Sequence, residues 1–118
     1  MKNGLVLLII FFTLSCDSLK PERTWIVNYR IYKKSNDAIS YRVKYTATGG
    51  ATQTFGPIDS FEWKSKDLEM KEGELAWIEV EQISGTGALD VQILRDNAVH
   101  EEGSKEDGVL IFTLEEEI

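Results

Sequence analysis

Ile39-Ser40-Tyr41-Arg42-Val43-Lys44-Tyr45-Thr46-Ala47 alternates apolar and polar side chains without a break. In an extended chain successive side chains leave opposite faces. Ile39, Tyr41, Val43, Tyr45 and Ala47 therefore share one face, and Ser40, Arg42, Lys44 and Thr46 the other. A helix would scatter both sets around its axis, so the stretch reads as a half-buried antiparallel strand. The same rule recovers Trp25, Val27, Tyr29 and Ile31 upstream. Downstream it finds Ala76, Ile78 and Val80 against Glu79 and Glu81, then Leu89, Val91 and Ile93 against Asp90 and Gln92. The last row is Leu110, Phe112 and Leu114, or alternatively Val109, Ile111 and Thr113. Both parities are apolar there, which predicts a strand covered on both sides.

Turn-forming residues separate these rows: Ser35-Asn36-Asp37, Gly49-Gly50, Gly56-Pro57, Lys71-Glu72-Gly73, Ser84-Gly85-Thr86-Gly87, Asp96-Asn97 and Gly103 to Gly108. Gly, Pro, Asn and Asp accept the backbone angles that reverse a chain. No convincing helical period appears after Thr24. About seven or eight short strands at this spacing predict an all-β protein, with an antiparallel two-sheet β-sandwich favoured over a barrel. Asp96-Asn97 suits a two-residue type I′ hairpin turn. That turn would set Arg95 opposite Ala98, Leu94 opposite Val99 and Ile93 opposite His100.

The chain has 118 residues, enough for one domain, and 20 Asp+Glu against 13 Lys+Arg give a net charge of −7. Phosphate backbones repel such a surface, so a nucleic-acid partner is not expected. One Cys and one His exclude a disulfide framework and a zinc site built from several such ligands in one chain.

The first residues read as an address. Met1-Lys2-Asn3 is a short positive start, and Leu5 to Phe12 is unbroken hydrocarbon. Extended to Leu14, that run is too short for a bilayer span, which needs ~20 residues, and suits a secretory signal. Thr13-Leu14-Ser15-Cys16 resembles the lipobox of bacterial lipoprotein signals, although Thr13 stands where Leu is usual. The alternative is an ordinary secreted protein with a spare thiol. The lipobox reading divides the chain into a signal peptide (1–15), a lipidated Cys16 with a polar tether (16–23) and a sandwich domain (24–118). Cleavage would remove Lys2 and no acid, leaving the mature chain more acidic. Several acyl chains on Cys16 would hold the domain to a membrane of the cell envelope, on its periplasmic or outer side.

Tyr41-Arg42-Val43-Lys44-Tyr45, Thr48-Gly49-Gly50-Ala51-Thr52-Gln53, Phe61-Glu62-Trp63, Lys71 to Ile78 and Val91 to Val99 together resemble the β-domain of the mycobacterial small membrane protein (MmpS) family. The likeness runs over about residues 25–114. It implies an immunoglobulin-like or transthyretin-like sandwich outside the inner membrane, and an accessory role beside a large lipid- or siderophore-exporting transporter. The chain departs from that family in two ways. A lipobox stands in place of the amino-terminal membrane helix, and Pro57 and Trp63 are separated where the family has an adjacent pair.

Chemistry-bearing residues are sparse. His100 is the single imidazole, so a nucleophile–histidine pair would have to run through it. No strained nucleophile turn accompanies it, and it reads as a structural residue at a hairpin end. The carboxylates, Glu79 and Glu81 among them, read as wet strand faces, and Glu106-Asp107-Gly108 lacks the spaced oxygen ligands of a calcium loop. No catalytic residue, metal ligand or cofactor is assigned. Most of Trp25, Tyr29, Tyr41, Tyr45, Phe61, Trp63 and Trp77 lie on apolar rows and read as core. Trp77 and Tyr32 fall on the polar parity of their strands and are the candidate partner contacts. Two functions follow. One is a non-enzymatic, membrane-anchored lipoprotein acting as a protein-binding module, an accessory to a transporter if the likeness extends that far. The other is a carrier of a lipid or small hydrophobic ligand, held in a cavity lined by Tyr41, Val43 and Trp63.

Overall fold

A computed structural model describes residues 23–35 and 38–118. The expected signal peptide, the expected lipidation at Cys16, the tether up to residue 22 and the expected turn residues Asn36-Asp37 lie outside the described residues. Nine strands follow in order: β1 (Thr24–Lys33), β2 (Ile39–Thr46), β3 (Thr52–Ile58), β4 (Glu62–Lys64), β5 (Leu68–Lys71), β6 (Leu75–Gly85), β7 (Leu89–Arg95), β8 (Ala98–Lys105) and β9 (Ile111–Glu117). One sheet has the order β4-β1-β7-β8, with β5 also on β1, and the other has β3-β2-β6-β9. Every pairing is antiparallel. The protein is a two-sheet β-sandwich.

The alternating rows account for the core. Val27, Tyr29 and Ile31, with Leu89, Val91 and Ile93 of the neighbouring β7, face Tyr41, Val43, Ala76, Ile78 and Val80 of the other sheet, all fully buried. Each large aliphatic side chain buried in this way contributes roughly 1.5–3 kcal/mol. β4 and β5 share one edge of β1, pairing with Arg30–Tyr32 and Thr24–Val27 respectively. Between them the Ser65 N–H donates to Tyr29 O at 2.8 Å, and the Ser65 Oγ accepts the Tyr29 N–H at 2.9 Å. Asn28 Nδ2 donates to Ser65 O and to Asp67 Oδ1. The break in the edge strand thus leaves few β1 polar groups unmet.

Five expectations are corrected. Asp96 and Asn97 do take positive φ, 50° and 66°, and Arg95 faces Ala98 and Leu94 faces Val99. Ile93, however, faces Glu101 and not His100, because a bulge inserts one residue into β8. The shift brings Gly103 opposite Val91 and Lys105 opposite Leu89, so β8 presents polar and small residues where alternation would demand apolar ones. Gly103 is consequently no turn but a strand position, where a Cβ would lie 2.7 Å from Phe112 Cζ of the other sheet. Gly56-Pro57 is also inside a strand, since Tyr41 pairs with Ile58 and Val43 with Phe55. The bulge places both residues opposite Arg42, on an edge strand where Pro57 has no outer ladder bond to lose. β9 is not covered on both sides, because a two-layer sandwich covers only one face of each sheet: on the inner parity Leu114 is buried and Phe112 half-buried, whereas Val109 and Ile111 on the outer parity are exposed. Phe61 is exposed as well, lying just before β4 and past the end of the core.

The two core tyrosines differ in a testable way. Tyr29 hydroxyl donates across the sandwich to Thr46 O at 2.8 Å, and its oxygen also lies 2.8 Å from Thr46 Oγ1. The buried Tyr41 hydroxyl has no hydrogen-bond partner among the described residues. Tyr29→Phe is expected to cost about 1–2 kcal/mol in urea unfolding, and Tyr41→Phe to fall within about 0.5 kcal/mol of the parent. Burial pushes the Tyr29 pKa up to about 12, partly offset by the Thr46 hydrogen bond, and burial alone raises Tyr41. Between pH 10 and 12 the unfolded chain has released the Tyr29 proton while the folded chain keeps it. The folded state then binds more protons, so stability falls as pH rises. Tyr29 alone should remove roughly 2–3 kcal/mol by pH 12. The check is urea unfolding at intervals from pH 10 to 12 for the parent and for Tyr29→Phe, whose loss of stability with pH should be shallower; equal slopes would refute it.

Candidate functional site

The described surface offers four places where chemistry or recognition gathers. The first is the outer face of the β3-β2-β6-β9 sheet. Arg42, Lys44, Thr54, Glu79 and Glu81 line a shallow depression of about 250 Å³. Arg42 pairs with Glu81 across the strands at 3.4 Å, and Lys44 sits opposite Glu79. Alternating signs cancel here, and exposed pairs of this kind contribute about 0–1 kcal/mol each. Trp77 lies on the same face, half-buried, opposite Glu115. Its backbone N–H donates to Thr46 Oγ1 at 2.9 Å.

Tyr32 is on the outer face of the other sheet, half-buried beside Arg30, whose guanidinium lies 5.2 Å from the ring centroid. Burial, followed by the nearby Asp90 and Glu102 charges, raises its hydroxyl pKa. The two candidate contacts therefore occupy opposite outer surfaces and do not form one site. His100 is half-buried, with Nε2 2.9 Å from the Glu117 carbonyl oxygen. That contact links β8 to β9 at the flank. Among the described residues no group of three or more His, Cys, Asp or Glu is arranged to hold a metal ion.

The second place is the end of the sandwich farthest from Arg23. Lys105 is fully buried, and its ammonium donates to Gln82 Oε1 at 2.8 Å, Val109 O at 2.7 Å, Glu106 O at 3.1 Å and Gly87 O at 3.2 Å. Burial lowers its pKa, while Asp107 and Glu106 pull it back up. Asp107 Oδ1 meanwhile accepts the Gly87 N–H. These bonds join the β6–β7 loop to the β8–β9 loop. Over that base stand Ile83, Val109, Leu110 and Ile111, all exposed, with Leu110 at 62% and Ile111 at 53%. They are neighbours: Gln82 N–H donates to Leu110 O, and Glu81 faces Ile111.

The third place is the opposite end, where the chain enters. Trp25 is half-buried and carries two guanidiniums, Arg23 at 3.9 Å and Arg95 at 4.1 Å from its ring. Such contacts contribute about 0.5–1 kcal/mol each at exposed sites.

The fourth is the flank where the edges β3 and β4 face one another. Tyr45, Gln53, Phe55, Trp63, Lys64, Ser65 and Lys66 line an open cleft of about 370 Å³. Phe55 stacks on Trp63 with centroids 5.8 Å apart and planes 26° apart, and Tyr45 meets Trp63 at 5.7 Å. Tyr45 is buried, Trp63 half-buried and Phe55 53% exposed. The sequence singles out Trp63 but not Phe55, whose stacking partner comes from the other sheet. The one local hint is an isolated aromatic at the parity of Gln53 in a polar run.

No protein-family model matches this chain, and no curated protein matches it. The function must therefore be argued from its own residues.

Proposed function

We propose that this chain is a non-enzymatic, lipid-anchored protein of the bacterial envelope whose sandwich docks another protein through its far end. The observation that carries this reading is the exposed aliphatic cluster Ile83, Val109, Leu110 and Ile111. Water-exposed apolar side chains gathered in one patch favour a protein partner. The patch also has the right placement for a tethered module. Thr24 pairs with Lys71 at the entry end, whereas Lys33 pairs with Leu89 at the other. The ten residues of β1 separate the ends by about 30 Å. A domain tethered through Cys16 would then hold its apolar end away from the membrane. The likeness to the mycobacterial small membrane proteins makes a transporter subunit the first partner to look for.

The test places a photo-crosslinking amino acid at Leu110 in cells producing the full chain, with Ile111→Glu and Cys16→Ala versions beside it. One envelope protein should crosslink, the adduct should vanish with Ile111→Glu, and palmitate label should vanish with Cys16→Ala. An adduct indifferent to Ile111→Glu would refute the docking end. Recovery of lipid alone would favour the carrier reading, although Tyr41 and Val43 are fully buried in the core and only Trp63 borders the flank cleft.

A further inference from the structure

We infer that the flank cleft between β3 and β4 binds a uronate-type sugar ring of an acidic polysaccharide. This inference stands apart from the docking end, which lies elsewhere on the molecule. Closing the core at this flank requires Tyr45 and Trp63, which pack against it. It does not require Phe55, which is 53% exposed yet held nearly parallel to Trp63. The result is an apolar plate, the outer face of the Phe55 ring backed by Trp63, that remains open to solvent. A pyranose ring offers a flat C–H face to such a plate and keeps its hydroxyls at the edge, where Gln53 stands beside the cleft. The cleft volume, about 370 Å³, lies at the lower end of the range for small-molecule sites.

Charge selects the kind of sugar. On a chain of net charge −7, this cleft has two lysines, Lys64 and Lys66, on its rim and no carboxylate in its lining. The acids adjacent in sequence are engaged elsewhere. Glu62 is paired with Arg30 at 3.0 Å, and Asp67 accepts from Asn28 at 2.9 Å. Neither lysine makes an ion pair with a described residue. Two free ammoniums beside an aromatic plate match a ring that carries its own carboxylate, and they discriminate against the neutral sugar of the same shape.

The experiment titrates the soluble domain, residues 24–118 released from the intact protein or the Cys16→Ala full chain, with tri-galacturonate and, separately, with neutral galactotriose. Binding is read by calorimetry and by tryptophan fluorescence. Tri-galacturonate should saturate with a fluorescence change that Trp63→Phe removes and Trp77→Phe leaves in place, and galactotriose should bind at least about tenfold more weakly. Lys64→Gln with Lys66→Gln should weaken tri-galacturonate about tenfold and flatten its salt dependence, with the folded circular dichroism unchanged. Phe55→Ser should weaken it to a similar degree. Equal binding of the two sugars, no saturation by tri-galacturonate, or an affinity indifferent to the lysine pair would each overturn the inference.

Discussion

Lys105→Met should lower the melting temperature by at least about 12 °C, the equivalent of roughly 3 kcal/mol in a domain of this size. The ammonium is fully buried and serves four acceptors, three of them backbone carbonyls from Gly87, Glu106 and Val109. Methionine fills similar space but donates nothing. A buried ion pair can sometimes be replaced by apolar residues without loss, because both partners leave together. Here the partners are peptide carbonyls that no substitution removes, so they would stay buried without a donor. The damage should be greatest where those carbonyls lie. Hydrogen exchange at residues 106–111 should rise before exchange in β1 or β7, and docking through Leu110 and Ile111 should weaken in parallel. A variant melting within about 3 °C of the parent would show that the lysine is dispensable.

Gly85→Ala should destabilise by about 3 kcal/mol or more in urea unfolding. Gly85 sits opposite Ile39 with φ +82°, and a Cβ there would overlap the Ala38 carbonyl oxygen. Both the backbone angle and the space are wrong for a side chain, and the clash is with backbone, which cannot rotate away. Gly108→Ala is the matched control. It has φ +87° but nothing within 4 Å of its added Cβ, so it should cost only the left-handed strain, about 1–2 kcal/mol. The difference between the two variants isolates the overlap. Equal losses would mean that β2 and β6 separate easily at that end.

Lys105 also shows where alternation stops being informative. In Ala98-Val99-His100-Glu101-Glu102-Gly103-Ser104-Lys105 no parity is apolar, yet these residues form an eight-residue strand. Its core-side positions are Glu101, Gly103 and Lys105, and the last two each suit a neighbour outside β8. Gly103 makes room for Phe112, and Lys105 meets Gln82 and Val109. None of those neighbours is visible from β8 itself. His100 slips for a related reason. The turn at Asp96-Asn97 sets the first two pairs of the hairpin, but the bulge that follows leaves His100 out of the ladder, with its ring against Glu117 O of β9.

The candidate surfaces divide in the same way. Trp77 and Tyr32 stand on the outer faces that their parity implies, but parity could not say that they face away from each other on different sheets. The flank cleft needs the edge of one sheet to meet the edge of the other. Phe55 and Trp63 lie on strands that pair with different partners, β2 and β1, so their stacking is a product of sheet order.

Side-chain alternation is a property of the extended backbone at each residue, and a stretch such as Ile39–Ala47 carries it with no help from the rest of the chain. The all-β class, the sheet-facing rows and the turn at Asp96-Asn97 follow from that local rule. Which strands become edges, where bulges fall and what the uncovered flank and end expose are set by contacts between segments distant in the chain. Those contacts balance burial against hydrogen bonding over the whole sandwich, and no short window of residues contains both sides of that balance.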